Sequence, residues 1–457
     1  MTAEASGIQV DVTGLRHRVR AVMPEVLAAL EGLVRIPSVA FAGYPREPVE
    51  TAAGAVADLF RNAGLPEVRL LDVPPDPPAV FAARPASPGA PTVLLYAHYD
   101  VQPAGNESVW RTPPYEPVVR DGRLYGRGSS DDKAGVVAHL GALLALGDDC
   151  PVGVKVLIEG AEEGGSAGLE AFVPAHTDLV AADAMVVCDL GNVRLGQPTL
   201  ITSLRGIAVV DVEVETLAGP VHSGSYGGAA PDALVALVRM LATLHDERGN
   251  PAVEGLAKLP YEGTQLTEEA FRAEAGVLPG VDLVGDGTIA DRVVTGPAIS
   301  VIGIDVADVE SAPNIVIPRA RARVSVRVAP AQDPHEAAHA VVRHLQTRAP
   351  WHVRAKVTVK ETGDGFRAAD GGPAYRAAVR ALETAYECPV TEIGEGGSIP
   401  LVAALQRAAP SAVMVLIGPG DPTSNAHAPN ESVDLSELER SVLGEALFLG
   451  ELGKGGL

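Results

Sequence analysis

The sequence has 457 residues, and its 36 basic against 58 acidic side chains give a formal net charge of −22 at pH 7. Proteins that hold phosphate backbones or anionic lipid do so with clustered lysine and arginine, so this composition argues against nucleic acid and membrane surfaces as partners. Hydrophobic residues make up 47% of the chain, which is enough to bury a large core. At about 150 residues per domain, the length predicts two or three domains.

Cysteine usage and the N-terminal sequence bear on the cellular compartment. Cys150, Cys188 and Cys388 are far apart in the sequence, which disfavours a disulfide framework and a cysteine-based zinc site. The first twenty residues lack an apolar stretch followed by a small-residue cleavage site. The sequence also lacks the run of about 18 apolar residues that a membrane span requires. We therefore expect a reduced protein of the cytoplasm.

In chain order, the first predicted element is an amphipathic helix over residues 12–34, where apolar side chains recur at helical spacing. Short apolar runs rich in β-branched residues follow, each ending in a polar loop, at residues 91–100, 152–163, 182–192 and 411–420. Continuous apolarity is typical of strands covered on both faces, as in a parallel sheet. Residues 134–147 and 373–386 supply helices. The main body is therefore predicted to be an α/β domain with a mainly parallel central sheet flanked by helices.

The pattern changes between residues 204 and 366, where residues 207–216 alternate with the period of a strand covered on one face. A helix, two strands, a helix and a strand follow, at residues 232–247, 298–304, 322–328, 334–348 and 351–361. The order β-α-β-β-α-β predicts a split βαβ sandwich of the α+β type, with residues 249–297 as an insertion within it. We therefore predict an α/β domain of residues 1–203 and 367–457, interrupted by an inserted domain of residues 204–366.

Acidic and imidazole side chains follow the ends of the predicted buried strands. They are His98, Asp100, Glu162, Glu163, Asp189 and, after a loop, His427, while Asp131 opens the helix that begins near residue 134. Ligand crevices of open α/β sheets lie outside the carboxyl ends of the strands, so these side chains are expected to meet in one place. So many carboxylates in one cleft would repel each other, and bound divalent cations remove that repulsion.

Imidazole and carboxylate together form the ligand set that zinc prefers in catalytic sites. We predict that His98 and Asp189 hold one ion and that Glu163 and His427 hold another. If Asp131 bridges the two ions, each ion has three protein ligands.

Two acidic residues remain for other roles. Asp100 lies two residues beyond His98, where it accepts the far imidazole N–H. Glu162 has no metal to bind, so it is the candidate general base for an attacking water held between the ions. Taken singly, each of these residues also has an ordinary interpretation, such as a satisfied strand end, a solvated acidic loop or a helix cap. Their joint placement favours the metal site.

A second metal motif occurs at His335, Glu336 and His339, which spell the HExxH signature of zinc proteases on a helix. This motif lies in the inserted domain, and no third ligand is evident in the sequence. We interpret it as a chance match on a solvated helix face.

The motifs around these residues identify a family resemblance. The chain resembles the di-zinc aminoacylase/carboxypeptidase family, and within it the carnosinase-like dipeptidases, through HYDVQP (98–103), PPYEPVVRDGRLYGRGSSDDKAG (113–135), EGAEEGGSAGL (159–169), EGGSIP (395–400) and AHAPNE (426–431). The resemblance extends in order over nearly the whole chain, although residues 249–297 match poorly. It implies the same seven acidic and imidazole residues, a cis peptide bond between Asp131 and Asp132, and an inserted domain that acts as a lid and dimer contact.

The resemblance also implies roles for residues of the inserted domain and of the EGGSIP motif. His222 of the HSG motif is expected to reach the active site of a neighbouring subunit and polarise the scissile carbonyl. Arg327 and Asn314 match positions that hold the free carboxylate of the substrate, and Gly397 and Ser398 line the same pocket. His222 and Arg327 keep alternative interpretations, as a surface loop residue and an exposed sheet residue.

The function implied is metal-dependent hydrolysis of the peptide bond of dipeptides or short peptides with a free C-terminus, by a homodimer that uses two divalent ions. Zinc is the expected metal, with manganese or cobalt as alternatives. The family also contains enzymes that hydrolyse N-acyl amino acids, so a deacylase, desuccinylase or carbamoyl-hydrolase with the same site is the alternative substrate class. A non-catalytic binding protein that has kept the fold is disfavoured by the intact Glu162 and the complete ligand set.

Overall fold

A computed structural model of the chain describes residues 11–368 and 371–455. The α-helices of these residues are α1 (Val12–Val34), α2 (Glu47–Asn62), α3 (Lys133–Leu146), α4 (Ala167–Phe172), α5 (Thr177–Val180), α6 (Ser223–Tyr226), α7 (Ala233–Ala242), α8 (Glu268–Glu274), α9 (Pro334–Thr347), α10 (Pro373–Tyr386), α11 (Pro400–Ala408) and α12 (Leu435–Leu452).

The β-strands begin with β1 (Glu67–Leu71), β2 (Ala79–Arg84), β3 (Thr92–His98), β4 (Val118–Arg120), β5 (Arg123–Tyr125), β6 (Gly153–Glu159), β7 (Ala184–Val187), β8 (Thr199–Leu204) and β9 (Gly206–Glu215). They continue with β10 (Val221–His222), β11 (Ala298–Asp305), β12 (Ile315–Val316), β13 (Arg319–Val328), β14 (Arg354–Gly363), β15 (Phe366–Arg367), β16 (Thr391–Glu395), β17 (Val413–Leu416) and β18 (Ser432–Asp434).

The chain divides into two compact units. The first contains the described residues of Met1–Thr202, Ala368–Ile393 and Leu401–Leu457, and the second contains Ser203–Arg367 and Gly394–Pro400. The EGGSIP motif (395–400) therefore lies wholly in the second unit, whereas the predicted domain bounds place it in the first domain. The catalytic and lid roles of the two domains stay predictions.

The first unit is built on a six-stranded sheet with the order β1-β2-β6-β3-β7-β17. Strands β6, β3, β7 and β17 pair in parallel, whereas β2 is antiparallel to both of its neighbours. The sheet is thus mainly parallel, as expected from the apolar runs, and β3 is buried along almost its whole length. Because the four parallel strands share one direction, their carboxyl ends lie along one edge of the sheet.

Helices α1, α3, α10 and α12 pack with the sheet in one hydrophobic core of the first unit. The sequence of α3 is apolar nearly all round, and thirteen of its fourteen residues are buried. Such a helix has no solvent face, which suits a position against both strands and other helices. Its N-terminus is capped by Asp132, whose carboxylate accepts the Gly135 N–H at 3.1 Å. This cap fixes the start of the helix directly after Asp131.

The second unit contains a four-stranded antiparallel sheet with the order β11-β13-β9-β14. Side chains of β13 alternate between exposed and buried, as a strand with one covered face requires. The buried face shares a core with α7 and α9, which confirms the split βαβ sandwich. Helix α7 ends at Ala242 rather than near residue 247, and the chain then turns so that His245 bridges to Pro251.

In the part of the chain that the structure describes, every helix is too short or too polar to span a bilayer.

Candidate metal centre

The carboxyl edge of the parallel strands brings the predicted acidic and imidazole residues together. His98 is the last residue of β3, Glu162 and Glu163 follow the end of β6, and Asp189 lies two residues beyond β7. His427 lies in the loop after β17 and has a left-handed backbone with φ of 61°. A left-handed conformation is uncommon for a residue with a side chain and is often found at functional sites.

Two groups of possible metal ligands meet at Asp131. In the first group, His98 Nε2 lies 3.1 Å from Asp131 Oδ1 and 3.4 Å from Asp189 Oδ1. In the second, His427 Nε2 lies 2.9 Å from Asp131 Oδ2 and 3.2 Å from Glu163 Oε2. The ligand atoms within each group all lie within 4.8 Å of one another. Asp131 therefore offers one carboxylate oxygen to each group.

The backbone around Asp131 is held by its neighbour. The peptide bond between Asp131 and Asp132 is cis, as the family resemblance implied. The Asp132 carboxylate accepts the backbone N–H of His98 at 3.1 Å while it caps α3 through Gly135. Asp132 thus connects the end of β3 to the start of α3, on either side of the ligand groups.

Asp100 is fully buried and contacts two parts of the centre. Its Oδ1 lies 3.3 Å from His98 Nδ1, and its backbone carbonyl lies 3.1 Å from the same nitrogen. The two carboxylate oxygens also accept the backbone N–H groups of Glu162 and Glu163, both at 3.1 Å. Asp100 therefore orients the imidazole of His98 and at the same time holds the loop that carries the two glutamates.

Burial and the crowding of acids raise the pKa values of several groups in the cluster. Burial raises the pKa of Glu162 well above its usual value, and Asp189 adds to this effect. Burial likewise raises the pKa of Asp189 to about 6. Hydrogen bonds that the His427 imidazole donates to the carboxylates of Asp131 and Glu163 raise the pKa of His427 to about 10. The protein alone thus gathers more negative charge than it neutralises, which favours a bound cation.

The donor set fits divalent metal ions. Each group combines one imidazole nitrogen with carboxylate oxygens, the ligands that zinc takes in catalytic sites where a coordination position stays open. Among the described residues, Glu163 Oε1 is buried and has no hydrogen-bond partner, while Glu163 Oε2 accepts from Gln102 at 2.6 Å. A buried carboxylate oxygen without a partner is costly unless a cation satisfies it.

The remaining predicted site residues lie in the second unit. His222 is exposed at the end of β10, and its Nδ1 accepts the Gly224 N–H at 3.0 Å. Asn314 is exposed and accepts the Ser223 N–H through its carbonyl at 3.2 Å. The strand pair β10–β12 therefore places His222 and Asn314 close together. Their roles toward a substrate stay predictions.

The predicted carboxylate-binding residues of the second unit include a half-buried arginine on β13, Arg327, which is paired in register with Ile207 and Ala298. Gly397 and Ser398 both contact Arg205. The Gly397 carbonyl accepts the Arg205 N–H at 3.1 Å, and the Ser398 hydroxyl donates to the Arg205 carbonyl at 2.5 Å.

Sequence reasoning missed Arg205 and two residues of the first unit, Gln102 and Glu431. Arg205 is largely buried and donates to the carbonyls of Gly396, Arg292 and Gly296. Gln102 and Glu431 both lie inside motifs that carried the family resemblance, which was the available signal.

The HExxH motif lies on α9, where His335, Glu336 and His339 are all exposed. Neither group of possible ligands in the described chain includes these residues, and His335 approaches the Thr362 hydroxyl at 3.4 Å. The buried face of α9 is formed by apolar residues such as Ala338 and Val341. The motif on α9 therefore has the surroundings of a solvated helix face.

An α/β sheet with carboxylates and imidazoles gathered at its carboxyl edge defines a metal-binding α/β protein. A family model described as "Peptidase family M20/M25/M40" matches residues 94–448. The chain therefore belongs to peptidase family M20/M25/M40, which confirms the resemblance found in its motifs.

Three relatives illustrate the similarity. The chain is 42% identical over 412 residues to a cysteinylglycine-S-conjugate dipeptidase of Corynebacterium striatum, covering 89% of this chain and 90% of the relative. It is 32% identical over 403 residues to the beta-Ala-His dipeptidase of Rattus norvegicus, covering 83% and 81%. The crystal structure of human carnosine dipeptidase 1 superposes with a TM-score of 0.85 at 27% identity, covering 97% of this chain and 98% of that one.

Proposed function

We propose that the protein hydrolyses the peptide bond of dipeptides with a free C-terminus and that two divalent metal ions serve the reaction. The observation that carries this proposal is the pair of ligand groups that share Asp131 beside Glu162. The names of the two similar curated proteins support the substrate class, because both are dipeptidases. Zinc is the proposed metal, since each group combines imidazole with carboxylate.

The residues of the first unit are proposed to serve as metal ligands and as the general base. His98, Asp131 and Asp189 would hold one ion, and Asp131, Glu163 and His427 would hold the other. When bound, the ions supply positive charge that acidifies water and polarises a carbonyl. Glu162 takes a proton from the attacking water and returns it to the leaving nitrogen.

The second unit is proposed to bind and orient the peptide. Arg327 and Asn314 hold the terminal carboxylate of the substrate, with Gly397 and Ser398 lining the same pocket. A guanidinium can grip a carboxylate with two parallel hydrogen bonds, which suits a substrate whose C-terminus is free. His222 is proposed to act on the scissile carbonyl of a substrate in a neighbouring subunit.

We also propose that the protein is a homodimer of the cytoplasm, with the second unit at the dimer interface. The three cysteines are free, which suits a reducing compartment. Strand β11 forms an edge of the second unit's sheet, and its exposed apolar side chains suit contact with a second copy.

The experiment that tests the function compares substrates on one enzyme preparation. Protein reconstituted with zinc, manganese or cobalt is assayed on dipeptides and on N-acetyl, N-succinyl and N-carbamoyl derivatives of the same C-terminal amino acid. We expect kcat/KM for the dipeptides to exceed that for the acyl derivatives at least ~100-fold. A dipeptide with an amidated C-terminus is the matched control and should be a poor substrate, because it lacks the carboxylate. Faster hydrolysis of the acyl derivatives would establish the N-acyl amino acid amidohydrolase instead.

A further inference from the structure

Glu431 is a buried acid in the loop after His427, and the metal site does not use it as a ligand. Its side chain has no exposed surface. Oε2 accepts Arg127 Nη1 at 2.7 Å and the Gly128 N–H at 3.0 Å. Oε1 accepts the Ser130 N–H at 2.9 Å and the Asp131 N–H at 3.0 Å. One carboxylate therefore accepts three backbone N–H donors within residues 128–131, besides one guanidinium.

The segment held by Glu431 has a backbone that needs such support. Gly126 and Gly128 both have positive φ, of 156° and 83°. A Cβ atom at Gly128 would lie 2.6 Å from Val101 Cγ1, so the chain passes very close to its neighbours here. The Gly126 N–H donates to the Glu431 carbonyl at 3.0 Å as well. Without Glu431, the buried N–H groups of this segment would lose their acceptor, which is costly for each group.

Arg127 balances the buried charge of Glu431. Its side chain is almost fully buried, and its guanidinium lies 5.3 Å from the centre of the Trp110 ring. It also approaches the carbonyls of Pro103 and Ala428, at 3.5 and 3.4 Å. A role for Glu431 limited to this ion pair would concern stability alone, so the test must separate the ion pair from the backbone contacts.

We propose that Glu431 is a positioning residue that fixes Asp131 so that its two carboxylate oxygens serve both ligand groups. The inference rests on the proposed metal site. Glu431 acts through the backbone N–H of Asp131 and is not itself a member of either ligand group. Because Glu431 follows His427 by four residues, the same contacts also tie the loop of the second imidazole to the segment of the shared aspartate.

The test measures binding of Co²⁺ to metal-free protein, by calorimetry and by the absorption of bound cobalt. In Glu431→Gln, one carboxylate oxygen is replaced by an NH₂ group that faces hydrogen-bond donors, so the Asp131 segment is held by fewer hydrogen bonds. We expect the Kd for Co²⁺ to rise about 10- to 100-fold and the cobalt spectrum to change. The double variant Glu431→Gln/Arg127→Met removes the unpaired guanidinium. It should recover thermal stability while its Co²⁺ affinity stays low.

Two further variants complete the design. Asp421→Asn is the matched control, because Asp421 is also buried and lies 2.8 Å from an arginine, Arg123. It should lower thermal stability and leave the Kd for Co²⁺ within about threefold of wild type. Glu431→Asp keeps the negative charge for Arg127 but shortens the side chain, so it should also weaken Co²⁺ binding. This variant decides the question if the glutamine variant does not fold.

The proposal is overturned if the double variant regains wild-type Co²⁺ affinity, or if Glu431→Gln and Glu431→Asp bind Co²⁺ as wild type does. Its failure is distinguishable from that of the proposed function. Wild-type protein that binds Co²⁺ but cleaves no dipeptide contradicts the proposed function and leaves the role of Glu431 testable by the same titrations.

Discussion

At the scale of single residues, several acids of the centre perform two tasks at once. Asp100 orients the imidazole of His98 and holds the backbone of the two glutamates, and Asp132 caps a helix while it accepts the His98 N–H. Asp131 contacts both histidines. Glu162 also belongs to neither ligand group, and it is the residue proposed as the general base.

Glu162→Gln tests the separation of metal binding from catalysis. The substitution keeps the size of the side chain and removes its basicity, so kcat should fall about 10²- to 10⁴-fold. Metal content, measured by elemental analysis after dialysis, should stay at the wild-type level. Glu163→Gln is the matched control one residue away, and it should lose metal as well as activity. Near-normal turnover by Glu162→Gln would exclude Glu162 as the general base.

The sequence could predict which residue types converge but not which groups hold them in place. His98, Asp189 and His427 follow apolar strands, and the parallel direction of those strands is sufficient to bring them to one edge. Glu431 gives no comparable signal, because its partners are backbone N–H groups of a segment about 300 residues earlier in the chain. The role of Arg205 could not be predicted for the same reason, because its side chain donates to backbone carbonyls.

At the scale of elements, a buried histidine of α3, His139, connects strand β3 to helix α12. His139 Nδ1 lies 2.8 Å from Glu445 Oε2, and His139 Nε2 lies 2.9 Å from the Tyr96 carbonyl on β3. Burial lowers the pKa of His139, but the Glu445 carboxylate and the Tyr96 carbonyl outweigh burial and raise it above its ordinary value. His139 thus joins α3, α12 and β3, and its contact with β3 is at Tyr96, two residues before His98.

This pair predicts a pH dependence of stability. A pKa raised in the folded state stabilises the fold fully below the unfolded pKa of about 6.5, and the contribution is lost as pH rises through the folded pKa. We therefore expect Glu445→Gln to cost about 3–5 kcal/mol of unfolding free energy at pH 6 and less at alkaline pH.

Urea unfolding of metal-free protein at pH 6 and pH 9 provides the measurement for the His139–Glu445 pair. Glu437→Gln, which alters another buried acid of the same helix, is the control for general damage to α12. An equal loss at both pH values for Glu445→Gln would contradict a charged pair.

Helices and strands were predicted well where the spacing of apolar residues determines them. They were predicted poorly where packing against other elements determines them. The helix at residues 12–34 and the strands at the carboxyl edge follow from apolar spacing alone. Strand β2 was missed, because six residues after a proline-rich segment carry no sign that they will insert antiparallel beside β6. The end of α7 was misplaced, because the chain turns back toward Pro251 while the apolar pattern continues to Leu244.

At the scale of the whole molecule, the two edges of the second unit's sheet differ in chemistry. Strand β14 carries charged side chains such as Lys356 and Glu361, which discourage pairing with another strand. Strand β11 exposes Val301, Ile302 and Ile304, with 58% of Ile302 accessible. An apolar edge is unfavourable in water, so a second copy of the chain is the proposed occupant of β11.

Ile302→Lys tests this interface. A lysine on β11 would place a desolvated charge between two copies. In size-exclusion chromatography with light scattering, we therefore expect the variant to be monomeric and the wild type to be dimeric. Leu195→Lys in the first unit is the control, because Leu195 is about equally exposed and should leave the dimer intact. If His222 acts in a neighbouring subunit, the monomeric variant also loses most of its kcat. An Ile302→Lys protein that remains dimeric would place the interface elsewhere.

The order of the ligands along the chain has a consequence for biosynthesis. His98, Asp131 and Asp189 emerge from the ribosome early, whereas His427 and Glu431 are made more than 300 residues after His98. Strand β17 must also join the sheet beside β7 before the loop of His427 can reach its place. A nascent chain thus contains all residues of the first ligand group long before His427 of the second group is made. If these residues bind metal as proposed, the second ligand group can form only after His427 has been made.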